Sequence, residues 1–155
     1  MAEVTAVFDN SDGRFPLPIA EIDFSGMTAG RPRILSFDAK WREESLEFRA
    51  TVPVVPAPLP EATAERVRRT ALAAAAALGV RRDARVDLRL DRDGRPWVLE
   101  VNPNPDLSPD AGLPKAAKVH GWNYDTLILE LVAQARRRQL RPRRSVRWLE
   151  PTASR

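Results

Sequence analysis

Four side chains in the second half of the chain carry oxygen and nitrogen groups at a spacing that suits phosphate and metal chemistry: Arg85, Asp87, Glu100 and Asn102. Arg85-Val86-Asp87-Leu88-Arg89-Leu90 and Trp97-Val98-Leu99-Glu100-Val101-Asn102 alternate apolar and polar residues, as half-buried strands do. Asp91-Arg92-Asp93-Gly94 between them is a strong hairpin turn signal. Val86, Leu88 and Leu90 leave the first strand on one side, and Arg85, Asp87 and Arg89 on the other. In the second strand Trp97, Leu99 and Val101 form the apolar, core-facing row, and Val98, Glu100 and Asn102 the opposite one. Pairing Asp91 with Gly94 sets Asp87 against Val98 and Arg85 against Glu100. Glu100 is then the diagonal neighbour of Asp87, about 7–8 Å away by backbone position. Two carboxylates and an amide oxygen on one face can share a hard cation such as Mg²⁺, which keeps water and shares its site with phosphates. Arg85 beside them suits an anion such as a phosphate or acyl phosphate. An exposed hairpin face with ordinary Arg–Glu cross-strand pairs has the same pattern, and the hairpin alone leaves both readings open.

Composition narrows the chemistry. The chain has no cysteine and a single histidine, His120, which excludes disulfides, Cys-based zinc sites and multi-His metal sites. Carboxylates remain as the plausible metal ligands. His120 itself reads as a capping or surface residue near the end of a short helix. No apolar run approaches the roughly 18 residues of a membrane span, and Met1-Ala2-Glu3-Val4 has neither the basic nor the apolar region of a signal peptide. The expected compartment is the cytoplasm. Residues 136–155 hold eight arginines and one acid, Glu150; without them 25 basic and 21 acidic residues become 17 and 20, and a net +4 becomes −3. The expected organisation is a globular unit over 1–135 and a basic, mobile tail over 136–155. Such a tail can bind nucleic acid, but it carries one aromatic, Trp148, and no base-stacking pattern.

The elements that must position these residues are short. Glu3 to Phe8, 17–24, 33–37 and Ala50 to Val55 read as strands, with a turn at Asp9-Asn10-Ser11-Asp12-Gly13 and an exposed loop from Lys40 to Phe48. Glu61 to Leu78 is the clearest helix. Pro60 suits its first turn, Gly79 can close it, and Val67, Ala71, Leu72, Ala75 and Leu78 form its core stripe. A Pro- and Asp-rich loop over 103–114 leads to helices near 114–120 and 123–138. This order predicts an α+β fold with a largely antiparallel sheet packed with helices.

Arg85-Val86-Asp87-Leu88-Arg89, Asp93-Gly94-Arg95-Pro96 and Leu99-Glu100-Val101-Asn102-Pro103 together resemble the C-terminal signature of ATP-grasp ligases, and most of all that of the D-alanine–D-alanine ligase-like branch. Asp38-Ala39-Lys40-Trp41 is similar to that branch's acidic-Ala-Lys-aromatic motif, and Glu3-Val4-Thr5-Ala6-Val7 to its Glu-aromatic-Thr-Val strand. Ala116 to Tyr124 followed by Leu127-Ile128 is similar to its closing helices. The resemblance implies transfer of the γ-phosphate of ATP to a carboxylate, followed by attack of an amine on the acyl phosphate. It implies ATP and two Mg²⁺ ions, with Mn²⁺ as a substitute, and a small carboxylate and amine as substrates. Asp87 and Asn102 would each hold one ion and Glu100 would bridge both. Arg85 would steady the acyl phosphate and the tetrahedral intermediate. Lys40 would contact the ATP phosphates and Glu3 the ribose, while Trp41 either covers the nucleotide or packs against the protein.

Two departures limit the inference. Asp106 stands where the branch has a glycine beside its second substrate, and Ala111 lies near the position of its carboxylate-gripping serine, with Ser108 only loosely placed. D-Alanine as the amine does not follow. The branch also has an N-terminal substrate domain and a central domain that these 155 residues do not contain. The expectation is a half-enzyme, incomplete alone, with a separate chain as one source of the other half. A non-catalytic remnant or interaction module with the same fold is the alternative.

Overall fold

The computed structural model describes residues 2–9, 15–80 and 83–139. Five strands form a sheet in the order β4 (Val52–Val54), β3 (Ala20–Asp23), β1 (Glu3–Asp9), β5 (Ala84–Leu90) and β6 (Pro96–Asn102), and the short β2 (Phe15–Pro16) pairs with the end of β1. Every pairing among the described residues is antiparallel. One face carries Val4, Ala6, Val86, Leu88 and Leu90, which pack on Ala64, Val67 and Ala71 of helix α3 (Glu61–Ala77). The alanine-rich stripe brings α3 close to the sheet, and each fully buried Val or Leu contributes about 1.5–3 kcal/mol. A second cluster joins Leu17 to Leu113, Ala116 and Ala117 of α4 (Gly112–Val119) and Leu127 of α5 (Tyr124–Gln139).

Helix α3 stops where expected. Gly79 has a φ of 67°, and its N–H donates to the Ala76 carbonyl while Val80 N–H donates to that of Ala75. That is a Schellman ending. Leu78 therefore sits at the C-cap and is exposed, outside the stripe assigned to it, and Pro60 is the N-cap rather than a first-turn residue.

The segment 33–48 differs most from expectation. Residues 33–37 form no strand, and Lys40 to Phe48 is no plain loop. Helices α1 (Phe37–Trp41) and α2 (Leu46–Arg49) occupy it instead. Ser36 Oγ accepts the Ala39 N–H and Ser45 Oγ accepts the Phe48 N–H, each with an acid in the first turn, Asp38 and Glu47. Two serine caps within ten residues outweigh the β-prone Ile34-Leu35. The expected turn over 9–13 falls mostly on residues 10–13, outside the described ones. Helix α5 runs through Gln139, so the expected tail begins within it, and 140–155 lie outside the described residues. Among the described residues, no helix is long and apolar enough to cross a membrane.

The turn between β5 and β6 has Gly94 at φ 69°. Asp91 N–H donates to the Arg95 carbonyl, so Leu90 pairs with Pro96. The Gly94 N–H donates to the Asp91 carbonyl, so Asp91 closes the turn against Gly94 as expected but faces Arg95 as well, and Gly94 is the extra residue that moves the ladder by one. The Asp91 carboxylate collects the N–H groups of Arg95 and Asp93 and the indole N–H of Trp97. The Arg95 N–H, then the Trp97 indole, hold its carboxyl below the ordinary aspartate value of 3.8. A lowered folded-state pKa stabilises the fold above the unfolded value, and that contribution is lost as pH falls through the folded pKa. Urea denaturation should therefore show a steeper loss of stability below pH 3.8 in the wild type than in Asp91→Asn.

Candidate functional site

On the face opposite the core, side chains from β1, β5 and β6 line up in rows across the sheet. One row is Thr5, Asp87 and Glu100; the next is Arg85 and Asn102; on the other side lie Glu3, Arg89 and Trp97. Asp87 and Glu100 are therefore directly opposed, not diagonal, and Arg85 opposes Asn102, not Glu100. The cause is two added residues in the hairpin. Gly94 shifts the pairing by one at the turn. A β-bulge between Leu88 and Asp87, which leaves Leu99 unpaired on β6, shifts it by one more. The bulge also separates the row assigned to the core. Trp97 and Leu99 are 62% and 58% exposed, while Val101 stays beside the core cluster.

Asp87 is the hub. Its Oδ1 accepts from Thr5 Oγ1 at 3.0 Å, and both its oxygens accept from Arg85 Nε at 3.1 Å. Arg85 Nη2 lies 3.0 Å from Asp87 and 3.9 Å from Glu100. The Asp87 side chain is 16% exposed and that of Glu100, on the edge strand, 56%. Asn102 Oδ1 accepts the Asn104 N–H at 2.8 Å, which orients the amide at the start of the loop. Further along that loop, Asp106 is held below the ordinary aspartate range by the N–H and hydroxyl of Ser108, aided by the Arg85 charge. Tyr124 Oη donates to the Leu107 carbonyl and ties the loop to α5.

The donor set is oxygen-only and partly open. Among the described residues no three His, Cys, Asp or Glu side chains converge. Two opposed carboxylates and an oriented amide oxygen are nonetheless suited to a hard cation whose remaining ligands are water or phosphate oxygens. Arg85 bridges both carboxylates, so a cation there would compete with its guanidinium and turn it toward an anion.

Of the other expected residues, only Glu3 is placed on this face by the strand register. Glu3 is bound by Arg89 Nη1 at 3.0 Å. Lys40 and Trp41 sit on α1, both exposed, and no hydrogen bond or ion pair joins either to the carboxylates. Trp41 is 70% exposed, so it does not pack into the protein. His120 is the C-cap of α4, edge-on to Trp122. Thr5 and Arg89 were given no role by the sequence. The period-two alternation that places Glu3 also places Thr5, and the one that places Asp87 also places Arg89.

This is the C-terminal subdomain of the ATP-grasp fold, an α+β unit with an antiparallel sheet packed with helices. The family model described as D-ala D-ala ligase C-terminus matches residues 4–133, and the chain belongs to that family. It is 41% identical over 80 residues to the D-alanine–D-alanine ligase of Bordetella petrii, covering 52% of this chain and 24% of that one. It is 32% identical over 117 residues to that of Nitrosomonas eutropha, covering 76% and 35%. The solved structure of D-alanine–D-alanine ligase from Bacillus anthracis complexed with ATP aligns with a TM-score of 0.65 and 28% identity, over 89% of this chain and 39% of that one. The chain thus spans a quarter to two-fifths of the length of these relatives.

Proposed function

We propose that the chain is the Mg-ATP-binding half of a carboxylate–amine ligase that forms an amide bond through an acyl phosphate. The observation that carries this reading is the direct opposition of Asp87 and Glu100, with Arg85 and Asn102 in the adjacent row. Asp87 and Asn102 would each hold one Mg²⁺ and Glu100 would bridge the two, with Mn²⁺ as a substitute. The ions would neutralise charge between phosphate oxygens. The chain's own contribution is placement. Arg85 lies within reach of both carboxylates, where it can meet a developing negative charge on the transferred phosphoryl group or the acyl carbon's oxygen. Glu3 would take the ribose, Lys40 the phosphates and Trp41 a face of the nucleotide. ATP as the nucleotide is supported by the Bacillus anthracis relative that was solved with it.

The acid and amine remain a class. Asp106 stands where the branch has the glycine that lets the backbone approach the second substrate, and Ala111 stands near its carboxylate-gripping serine, so D-alanine as the amine does not follow. The reading further holds that these 155 residues need the other half of the grasp for turnover. Calorimetry should detect weak Mg-ATP binding by the chain. Phosphate release under saturating Mg-ATP and amino acids should stay at background. Turnover by the chain alone would overturn the half-site, and absence of Mg-ATP binding would overturn the nucleotide assignment.

A further inference from the structure

Arg89 is a charged side chain on the sheet with three partners on separate segments. Its Nη1 donates to Glu3 Oε2 at 3.0 Å and to the Arg33 carbonyl at 2.6 Å, and its guanidinium lies 5.8 Å from the centre of the Phe24 ring. The side chain is 18% exposed. Glu3 belongs to β1, Phe24 follows β3, and Arg33 lies in the irregular segment that leads into α1 and Lys40. That segment is otherwise held by itself and by α2. Met27 bonds to Phe24, Arg31 to Thr28 and Glu47, Ile34 to Pro32, and Ser36 to Ile34. Among the described residues, the bond from Arg89 to the Arg33 carbonyl is the hydrogen bond that ties this segment to β5.

We propose that Arg89 is a positioning residue that fastens the 24–36 segment to the sheet, so that Lys40 on α1 and Glu3 on β1 are presented together to one nucleotide. This rests on the reading of Glu3 and Lys40 as nucleotide contacts. The arrangement is economical in atoms: a single nitrogen holds the Glu3 carboxylate at one oxygen, leaving the other to accept from a hydroxyl, and the same nitrogen sets the path of the backbone toward α1. A charge-assisted bond of this kind is worth enough to shift a local equilibrium by about tenfold or more.

The test uses Arg89→Met, which keeps the stem and removes both bonds, and Arg89→Lys, whose ammonium can satisfy both because both go to one nitrogen. Amide hydrogen exchange is read without nucleotide. Arg89→Met should accelerate exchange at Arg31, Ile34 and Ser36 several-fold and leave Val86 unchanged, and Arg89→Lys should restore protection. Mg-ATP titration is then run in a cycle with Lys40→Ala. Arg89→Met should weaken binding about tenfold when Lys40 is present and much less when it is absent. Unchanged exchange in Arg89→Met overturns the fastening. An equal loss in both Lys40 backgrounds overturns the link to α1. A wild-type chain that gives no Mg-ATP binding overturns the nucleotide reading and the positioning role with it, whatever the exchange shows. If Arg89→Met melts far below the wild type, Arg89→Lys against Lys40→Ala decides: loss of Mg-ATP affinity with full exchange protection also overturns the proposal.

Discussion

Glu100→Ala should weaken the proposed Mg-ATP binding by more than about tenfold and leave the melting temperature almost unchanged, whereas Asp87→Ala should lose both. The two carboxylates face each other, but their surroundings differ. Glu100 is on the edge strand, more than half exposed, and its closest cationic group is 3.9 Å away. An exposed pair at that distance contributes little to stability. In the proposed site its value would lie in the charge it offers a cation, and a carboxylate taken from a hard-metal site is not replaced by water at equal affinity. Asp87 is 16% exposed and receives Thr5 and a two-point contact from Arg85. Removing it leaves the guanidinium and the hydroxyl without their shared acceptor on a largely covered surface, which costs about 1–3 kcal/mol. Calorimetric titration and thermal melts of the two variants separate these effects. Equal Mg-ATP affinity in wild type and Glu100→Ala would remove Glu100 from the metal site.

The face these side chains share could be read from the sequence because period-two alternation assigns faces from residue type alone. Asp87, Arg85, Glu100 and Asn102 were placed on one face, and they share it. Their pairing was not readable. Alternation constrains which side a residue takes, not how many residues a turn or bulge consumes. Gly94 and Leu99 each add one, so an uninterrupted ladder put Asp87 against Val98 when it faces Glu100. The same count explains Trp97, which reads as core by parity and lies opposite Arg89 beyond the bulge. Helix α3 was legible for a different reason: its stripe, its proline and its glycine all agree. The 33–48 segment was not, since its two helices have only five and four residues. Helices so short are set by their caps and neighbours rather than by propensity. By sequence alone Arg89 is one more polar residue on a face. Its role depends on a backbone carbonyl 56 residues away, and no local pattern carries that information.

Leu88 and Leu99 provide the sharpest test of the bulge, because simple alternation sends both to the core. Leu88 is fully buried in the cluster with Val4, Val67 and Ala71, whereas Leu99 is 58% exposed at the unpaired position of β6. Leu88→Ala should cost about 2–5 kcal/mol, since the side chain lies in a close-packed layer between sheet and helix. In a chain of this size each kcal/mol lowers the melting temperature by about 2–4 °C. Leu99→Ala should stay within about 0.5 kcal/mol of wild type. Urea denaturation of the two variants measures the difference directly, and a comparable loss in Leu99→Ala would restore the uninterrupted ladder and return Glu100 to the diagonal. Leu88 also lies between Asp87 and Arg89 in the strand, one of which holds the carboxylate hub and the other the Glu3 contact. A cavity beneath Leu88 lets that strand move, so the geometry of the polar face depends on a residue that points away from it. Leu88→Ala should therefore weaken Mg-ATP binding even where the chain remains folded, and Leu99→Ala, on the same hairpin and closer in sequence to Glu100, should leave it far less affected.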